Sequence, residues 1–191
     1  MRAFTVKTDG DPARVWKLAY ETYRAAGYCD DNPCGMLAHY IGLDGIPETE
    51  VYAVEDDDGK MIATNSATID GPRGLHTDHA FPRETEVVRE ECLDGGLWLG
   101  SSWRIASDPS CRKRLEPVVK VIEYTLQQFG PKLDVCLFTF NPRHARVYKY
   151  LLKLKIIAES PSDPTVKASV VLMRGELPVM REAWARRTQG R

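Results

Sequence analysis

Apolar and polar residues along the chain alternate in two rhythms, and their succession predicts a mixed order of strands and helices. Residues 2–7 are short and extended in character, a first strand. Asp11-Pro12 has the chemistry of a helix start: a capping carboxylate, then a proline whose missing N–H costs nothing there. Val15, Trp16, Ala19, Tyr20 and Tyr23 recur at helical steps, so 12–26 is predicted as an amphipathic helix that stops at Gly27. Residues 28–49 have loop composition around a short predicted helix at 34–40. Two strand-like runs, 50–55 and 61–69, flank a turn at 56–59 and predict a hairpin. A polar excursion over 70–83 leads to a short helix at 84–92, with Glu84 and Glu86 suited to its positive end.

Leu97 to Ala106 reads as a strand with Trp98, Gly100, Ser102 and Arg104 on one face and Leu99, Ser101, Trp103 and Ile105 on the other. Leu115, Val118, Val119, Ile122, Leu126 and Phe129 predict a strong helix. Pro117 is tolerable only in its first turn, which sets the start near 115, with Arg112, Lys113 and Arg114 just ahead. Residues 135–140 form a buried-strand run, Asn141-Pro142 opens another helix, and 155–158 and 168–174 suggest two last strands. No repeat or linker divides the chain, so 1–176 is expected to be one domain. Residues 177–191, with Arg181, Arg186, Arg187 and Arg191, read as a basic C-terminal tail, partly disordered. The class is α/β (α+β), a mixed sheet with helices on both faces.

Composition narrows the function. A length of 191 residues suits one full core, and 43% hydrophobic with 28% charged residues is globular composition. A formal net charge of −1 disfavours a nucleic-acid partner, which normally demands a positive excess. No window approaches the roughly 20 apolar residues of a membrane span, and the first residues lack the apolar core of a signal peptide. Five cysteines without a CxxC pair read as reduced thiols, so a cytoplasmic location is expected. His76-Thr-Asp-His79 lacks the helical context of a zinc motif, and no metal is expected. There is no GxSxG, P-loop or dinucleotide-binding glycine fingerprint.

Three stretches carry a family resemblance: Tyr20-Glu-Thr-Tyr-Arg-Ala-Ala-Gly-Tyr28; Thr64 to Arg89 through Ile69-Asp70-Gly-Pro-Arg-Gly-Leu75; and Arg104-Ile-Ala followed by Asn141-Pro-Arg-His-Ala-Arg-Val-Tyr148. In order and spacing they resemble the GNAT acyltransferases, and within them the long-chain N-acyl amino acid synthases, cousins of the acyl-homoserine lactone synthases. The resemblance implies a mostly antiparallel GNAT-like sheet. It also implies transfer of a long-chain acyl group from acyl carrier protein to the amine of an amino acid or similar small amine, by direct attack. No cofactor would be permanently bound, and the donor would be the phosphopantetheine thioester of the carrier or acyl-CoA.

Two departures stand out. The glycine-rich turn of acetyl-CoA-dependent relatives is replaced by Arg112-Lys-Arg-Leu-Glu-Pro117, and Ser101 stands where the branch pattern has a glutamate. The rival readings are a CoA-dependent N-acetyltransferase and a catalytically silent binder of acyl thioester or carrier protein.

Amide formation from a thioester needs a neutral amine, a polarised carbonyl and a proton for the leaving thiol. Tyr148 is the candidate acid, with a core tyrosine as its plain alternative. Ser101, Ser102, Glu84, Glu86 and Glu90 are the candidate proton acceptors, Glu86 first. Arg104 would bind an acceptor carboxylate or pair with one of those glutamates as scaffolding, the latter preferred. Trp103, Ile105, Ala106, Ser107, Phe138 and Asn141 would hold the acyl and pantetheine groups, with Trp98 and Phe140 flanking the channel. Asn141 doubles as a helix cap. Arg112, Lys113, Arg114 and Arg143 would dock the acidic carrier or its phosphate. Peripheral membrane contact through the arginines, Met180 and Trp184 of the tail is the alternative to a solvated tail.

Overall fold

The computed structural model describes residues 1–6, 12–111, 115–163 and 165–188. Its strands are β1 (Arg2–Val6), β2 (Thr49–Glu55), β3 (Met61–Ile69), β4 (Leu99–Ser107), β5 (Val135–Phe140), β6 (Lys155–Ser160) and β7 (Val170–Glu176). They form one seven-stranded sheet in the order β1-β2-β3-β4-β5-β7-β6. All neighbours are antiparallel except β4 and β5. That parallel pair needs a crossover, supplied by the helix α4 (Glu116–Gln128).

The helix ends follow local chemistry. In α1 (Ala13–Ala25) the chain leaves through Gly27 at φ +77°. Two short-spaced helices, α2 (Thr77–Ala80) and α3 (Pro82–Gly95), fill the region read as a polar excursion and short helix; Gly96 at φ +64° ends α3. Pro117 sits in the first turn of α4, where no backbone bond is lost. The Asn141 side chain accepts a 3.1 Å bond from the Arg143 N–H and caps α5 (Pro142–Leu152).

Two expectations are corrected. The short helix expected at 34–40 is absent; its place is taken by turns and a single 3₁₀ turn, Ile41–Leu43. Residues 177–188 of the expected tail form α6 (Leu177–Thr188), whose Leu177, Met180 and Trp184 are buried in the main core. Each such side chain contributes about 1.5–3 kcal/mol by burial, which a solvated tail would forgo. Met180 and Trp184 therefore present nothing to a lipid surface. Among the described residues, no helix is long and apolar enough to cross a membrane.

Helices cover both faces. On one, α4, α5 and α6 enclose a core with Tyr52, Val121, Phe138, Leu152, Met173 and Met180. On the other, α1 packs on Val51, Ala53 and Ala106, while α3 packs on Leu99, Leu137 and Leu172. All five cysteines are free thiols.

Gly100 lies in β4 opposite Ile69, where a Cβ would approach the Thr68 carbonyl oxygen to 2.7 Å and Leu133 Cδ1 to 2.7 Å. Backbone on one side cannot yield. Gly100→Ala is expected to cost about 1–3 kcal/mol by overpacking, read as a fall in the midpoint of urea unfolding.

Candidate active site

The geometry begins with the parallel pair. β4 and β5 hydrogen-bond only from Leu99–Val135 to Ser102–Phe138. Beyond that β4 continues with β3, and β5 continues with β7. The strands part, and a cavity of about 630 Å³ opens between them. Both edges of the gap line it: Ser102 to Ile105 and Ser107 from β4, and Thr139 and Phe140 from β5, continuing to Asn141.

A bulge aims the β4 side. Asn65 of β3 faces both Arg104 and Ile105, because the register slips between Thr64 and Ser66, and Arg104 takes φ +53°. Simple alternation would put Arg104 beside Ser102. The bulge turns it to the other face, its guanidinium 4.5 Å from the Trp103 ring centre.

There Arg104 is fully engaged. Nη1 donates to the Ala38 carbonyl at 3.1 Å and to Asp44 at 2.8 Å. Nη2 donates to Asp44 at 2.7 Å and to Ser66 at 2.8 Å, and Nε to Ser66 at 3.1 Å. A guanidinium has five N–H groups, and none is left for an acceptor carboxylate. Arg104 is scaffolding, but its partner is Asp44 from the 28–49 segment, not a glutamate of α3. Asp44 also accepts from the Trp16 indole at 2.9 Å, tying α1 to the same node.

The cavity passes through the sheet. On the α1–α3 face it meets Tyr23, His39, Trp103, Thr139 and Asp163; on the α4–α5 face it meets Ser102, Ile105, Phe140 and Tyr148. Tyr148 stacks on Phe140 with ring centres 4.0 Å apart, and burial raises its phenol to about 12. It stays protonated at any ordinary pH. Ser102 and Ile105 also line a small apolar pocket of about 30 Å³, which continues toward Leu126, Cys136 and Phe138 under α4.

The first face is aromatic. Tyr40 lies 5.4 Å from the rings of both Trp103 and His76 and donates to Asp163 at 3.1 Å. His39, at φ +59°, packs on Tyr40, and both its ring nitrogens are buried without a hydrogen-bond partner. Burial lowers its pKa to about 4, so it is neutral.

Several expected site residues are elsewhere. Glu86 is exposed on α3 and pairs with Arg89, which also binds Asp70 and Asp78; it is not among the residues lining the cavity. Glu90 is exposed on the same helix, and Glu84 likewise lies outside the lining. Ser101 is fully buried, outside the cavity lining, and its Oγ lies 3.0 Å from His76 Nδ1. Ala106 packs under α1 and Phe138 lines the apolar pocket, so neither borders the main cavity. Trp98 is 65% exposed and precedes β4, away from the channel. Arg143 does line the cavity, as does Ser107, whose carbonyl accepts from Thr22. Arg112, Lys113 and Arg114 lie outside the described residues. Among the described residues, no group of three or more His, Cys, Asp or Glu side chains could hold a metal ion.

His39, Asp44, His76, Thr139 and Asp163 were not picked out from sequence as site residues. Nothing in their spacing marks them; each reaches the site through tertiary packing.

A sheet whose one parallel pair splays around a through-going cavity defines a GNAT-type acyltransferase. More particularly, the chain belongs to the FeeM N-acyl amino acid synthase family, whose family model matches residues 14–176. A solved FeeM, an N-acyl amino acid synthase from uncultured soil microbes, superposes with a TM-score of 0.78 at 20% identity, over 95% of this chain and 93% of that one. The acyl-homoserine lactone synthase LasI gives 0.65 at 12% identity, over 96% and 94%. The ribosomal-protein-S18-alanine N-acetyltransferase of Escherichia coli gives 0.56 at 9% identity, over 92% and 93%. No curated protein sequence matches the chain. The resemblance drawn from the three motifs is thus correct, and the protein is an N-acyltransferase.

Removing Asp44 would leave the Arg104 guanidinium, whose side chain is 1% exposed, without its counter-ion. Asp44→Ala is expected to destabilise the fold by about 3–5 kcal/mol, measured by chemical denaturation.

Proposed function

We propose that the enzyme transfers a long-chain fatty acyl group from the phosphopantetheine thioester of an acyl carrier protein to the amine of an amino acid or similar small amine. The observation that carries this reading is the cavity through the β4/β5 gap, which gives donor and acceptor separate approaches to one point. The thioester enters from the α4–α5 face, beside Tyr148 and Asn141. The amine enters from the α1–α3 face, beside Thr139 and Tyr23.

The acyl chain turns past Ser102 and Ile105 toward the apolar side chains under α4; the pocket there admits about one methylene as it stands, so a long chain must part Leu126, Cys136 and Phe138, and each methylene it then buries contributes about 0.8 kcal/mol. Beyond Ser102 and Phe138, neither strand offers the other a ladder partner, so a pantetheine arm can lie in the gap as an added strand.

The amine attacks the thioester carbon directly. No cysteine is among the described cavity-lining residues to form a covalent acyl-enzyme. As the C–S bond breaks, the Tyr148 phenol gives its proton to the sulfur. Arg143 in the cavity lining supplies a cationic group for the acidic carrier and its phosphate; the sequence 112–117 has no glycine, which argues against a backbone cradle for a CoA pyrophosphate. The reading is of a cytoplasmic enzyme without a permanently bound cofactor.

Lipid extracts of cells overproducing the protein are expected to contain new N-acyl amino acids, identified by mass spectrometry against an empty-vector control; their absence overturns the reading. With purified protein, acyl carrier protein donors are expected to outperform the matching acyl-CoA. Tyr148→Phe keeps the stack on Phe140 and is expected to lower kcat by about 10²- to 10⁴-fold with donor affinity unchanged. The wild-type rate is expected to fall toward acid as the acceptor amine is protonated, and to show no loss from Tyr148 through the ordinary range, because burial keeps its phenol protonated there. Filling the apolar pocket with Leu126→Phe is expected to shorten the acyl chains in the product.

A further inference from the structure

β4 lacks a carboxylate, so the proton released by the attacking amine needs another destination. The cavity offers few. Asp163 is already committed to the Tyr40 hydroxyl and to the N–H and hydroxyl of Thr165. Arg104, a guanidinium, has no lone pair to take a proton, the His39 nitrogens are enclosed by the protein, and His144 lies on α5, with Tyr148. Thr139 differs: it lines the cavity, and its Oγ1 lies 3.0 Å from His76 Nε2. His76 Nδ1 in turn lies 3.0 Å from Ser101 Oγ.

The chain Thr139–His76–Ser101 spans the two strands where they part. Ser101 is the next-to-last paired residue of β4, and Thr139 the first residue of β5 beyond the pairing. The three lie on the face from which the amine arrives, opposite Tyr148. We infer that Thr139, backed by His76 and Ser101, receives the proton of the acceptor amine and is this enzyme's substitute for a carboxylate base. The inference rests on the N-acyl transfer proposed above.

The relay requires the tautomer in which His76 Nδ1–H donates to Ser101 Oγ and the Nε2 lone pair faces the Thr139 hydroxyl, both contacts being 3.0 Å. As the C–N bond forms and the C–S bond breaks, a proton passes from the amine nitrogen to Thr139 Oγ1. The hydroxyl's own proton passes to His76 Nε2, and Tyr148 protonates the thiolate. The imidazolium and the phenolate are then restored by one proton transferred through water, so amine and thioester give amide and thiol. Burial keeps the resting imidazole neutral, with His39 and His79 acting in the same direction. A weakly basic imidazole suffices, because the nitrogen of the adduct is cationic and far more acidic than a free ammonium. The ionisable groups facing His76 are His79 of its own helix and His39 and Tyr40 of the 28–49 segment.

Thr139 acts on the substrate, and His76 and Ser101 are positioning residues behind it. The test uses Thr139→Val, which preserves shape and strand preference, Thr139→Ser, which preserves the hydroxyl, and the double variant with His76→Gln. Turnover is followed across pH with the donor that the wild type uses. Thr139→Val is expected to lose about 100-fold in kcat with donor KM unchanged. Its deficit should shrink as pH rises and hydroxide takes over the proton. Thr139→Ser should keep most of the turnover, and the double variant should be no slower than Thr139→Val. A deficit constant with pH, additive losses, or an undiminished Thr139→Val overturns the relay while leaving the transfer reaction standing. A wild type that makes no N-acyl product removes the reaction, and the relay with it.

Discussion

The rest of the structure depends on a single interrupted contact, the hydrogen-bonding of β4 to β5. It lasts for four residue pairs and then stops. Backbone groups at that point would ordinarily be sealed by a partner strand, and leaving them open costs free energy unless the edges are held by something else. Here β3 holds one edge and β7 the other, so the gap is bordered by fully supported strands. A cavity made this way has rigid walls. It is also lined from both faces of the sheet, which suits a reaction between two separately bound substrates.

The edge on β4 is shaped by a buried ion pair. Arg104 occupies a left-handed backbone conformation that a non-glycine residue adopts only under constraint. The constraint is its set of hydrogen bonds to Asp44, Ser66 and Ala38. A buried charge of this kind adds little net stability compared with an apolar packing, but it is intolerant of alternatives. It fixes where the bulge lies, which face Trp103 and Ile105 occupy, and how the 28–49 segment closes over the cavity. The aromatic cluster of Tyr40, Trp103 and His76 then follows from that closure.

The two faces of the gap differ in chemistry. On one, the Tyr148 phenol is buried against Phe140 and raised in pKa, a group that holds its proton until a stronger base appears. On the other, the Ser101 and Thr139 hydroxyls each lie 3.0 Å from a nitrogen of the neutral His76 imidazole. In the proposed mechanism, proton donor and proton acceptor thereby stand on opposite sides of the sheet.

Local patterns in the sequence determined most of the elements. The period of two in 50–55 and 61–69, the apolar run 135–140, the caps at Asn141-Pro142 and the placing of Pro117 each specify their own backbone, since they depend on neighbours within a few residues. The place of Tyr148 on the apolar side of α5 was legible for the same reason: it sits on a well-patterned helix. What the sequence left undecided needed distant partners. The bulge at Arg104 depends on Asp44, sixty residues away, so strict alternation misassigned its face. Glu86 had the right spacing to Arg89, but that pair is completed by Asp70 and Asp78 at the surface, not at the cavity. The helix at 177–188 looked like a charged tail because its few apolar residues matter only once a sheet is there to receive them. His76 and Thr139 meet across two strands and a loop, and no period along the chain records a contact that only the folded sheet creates.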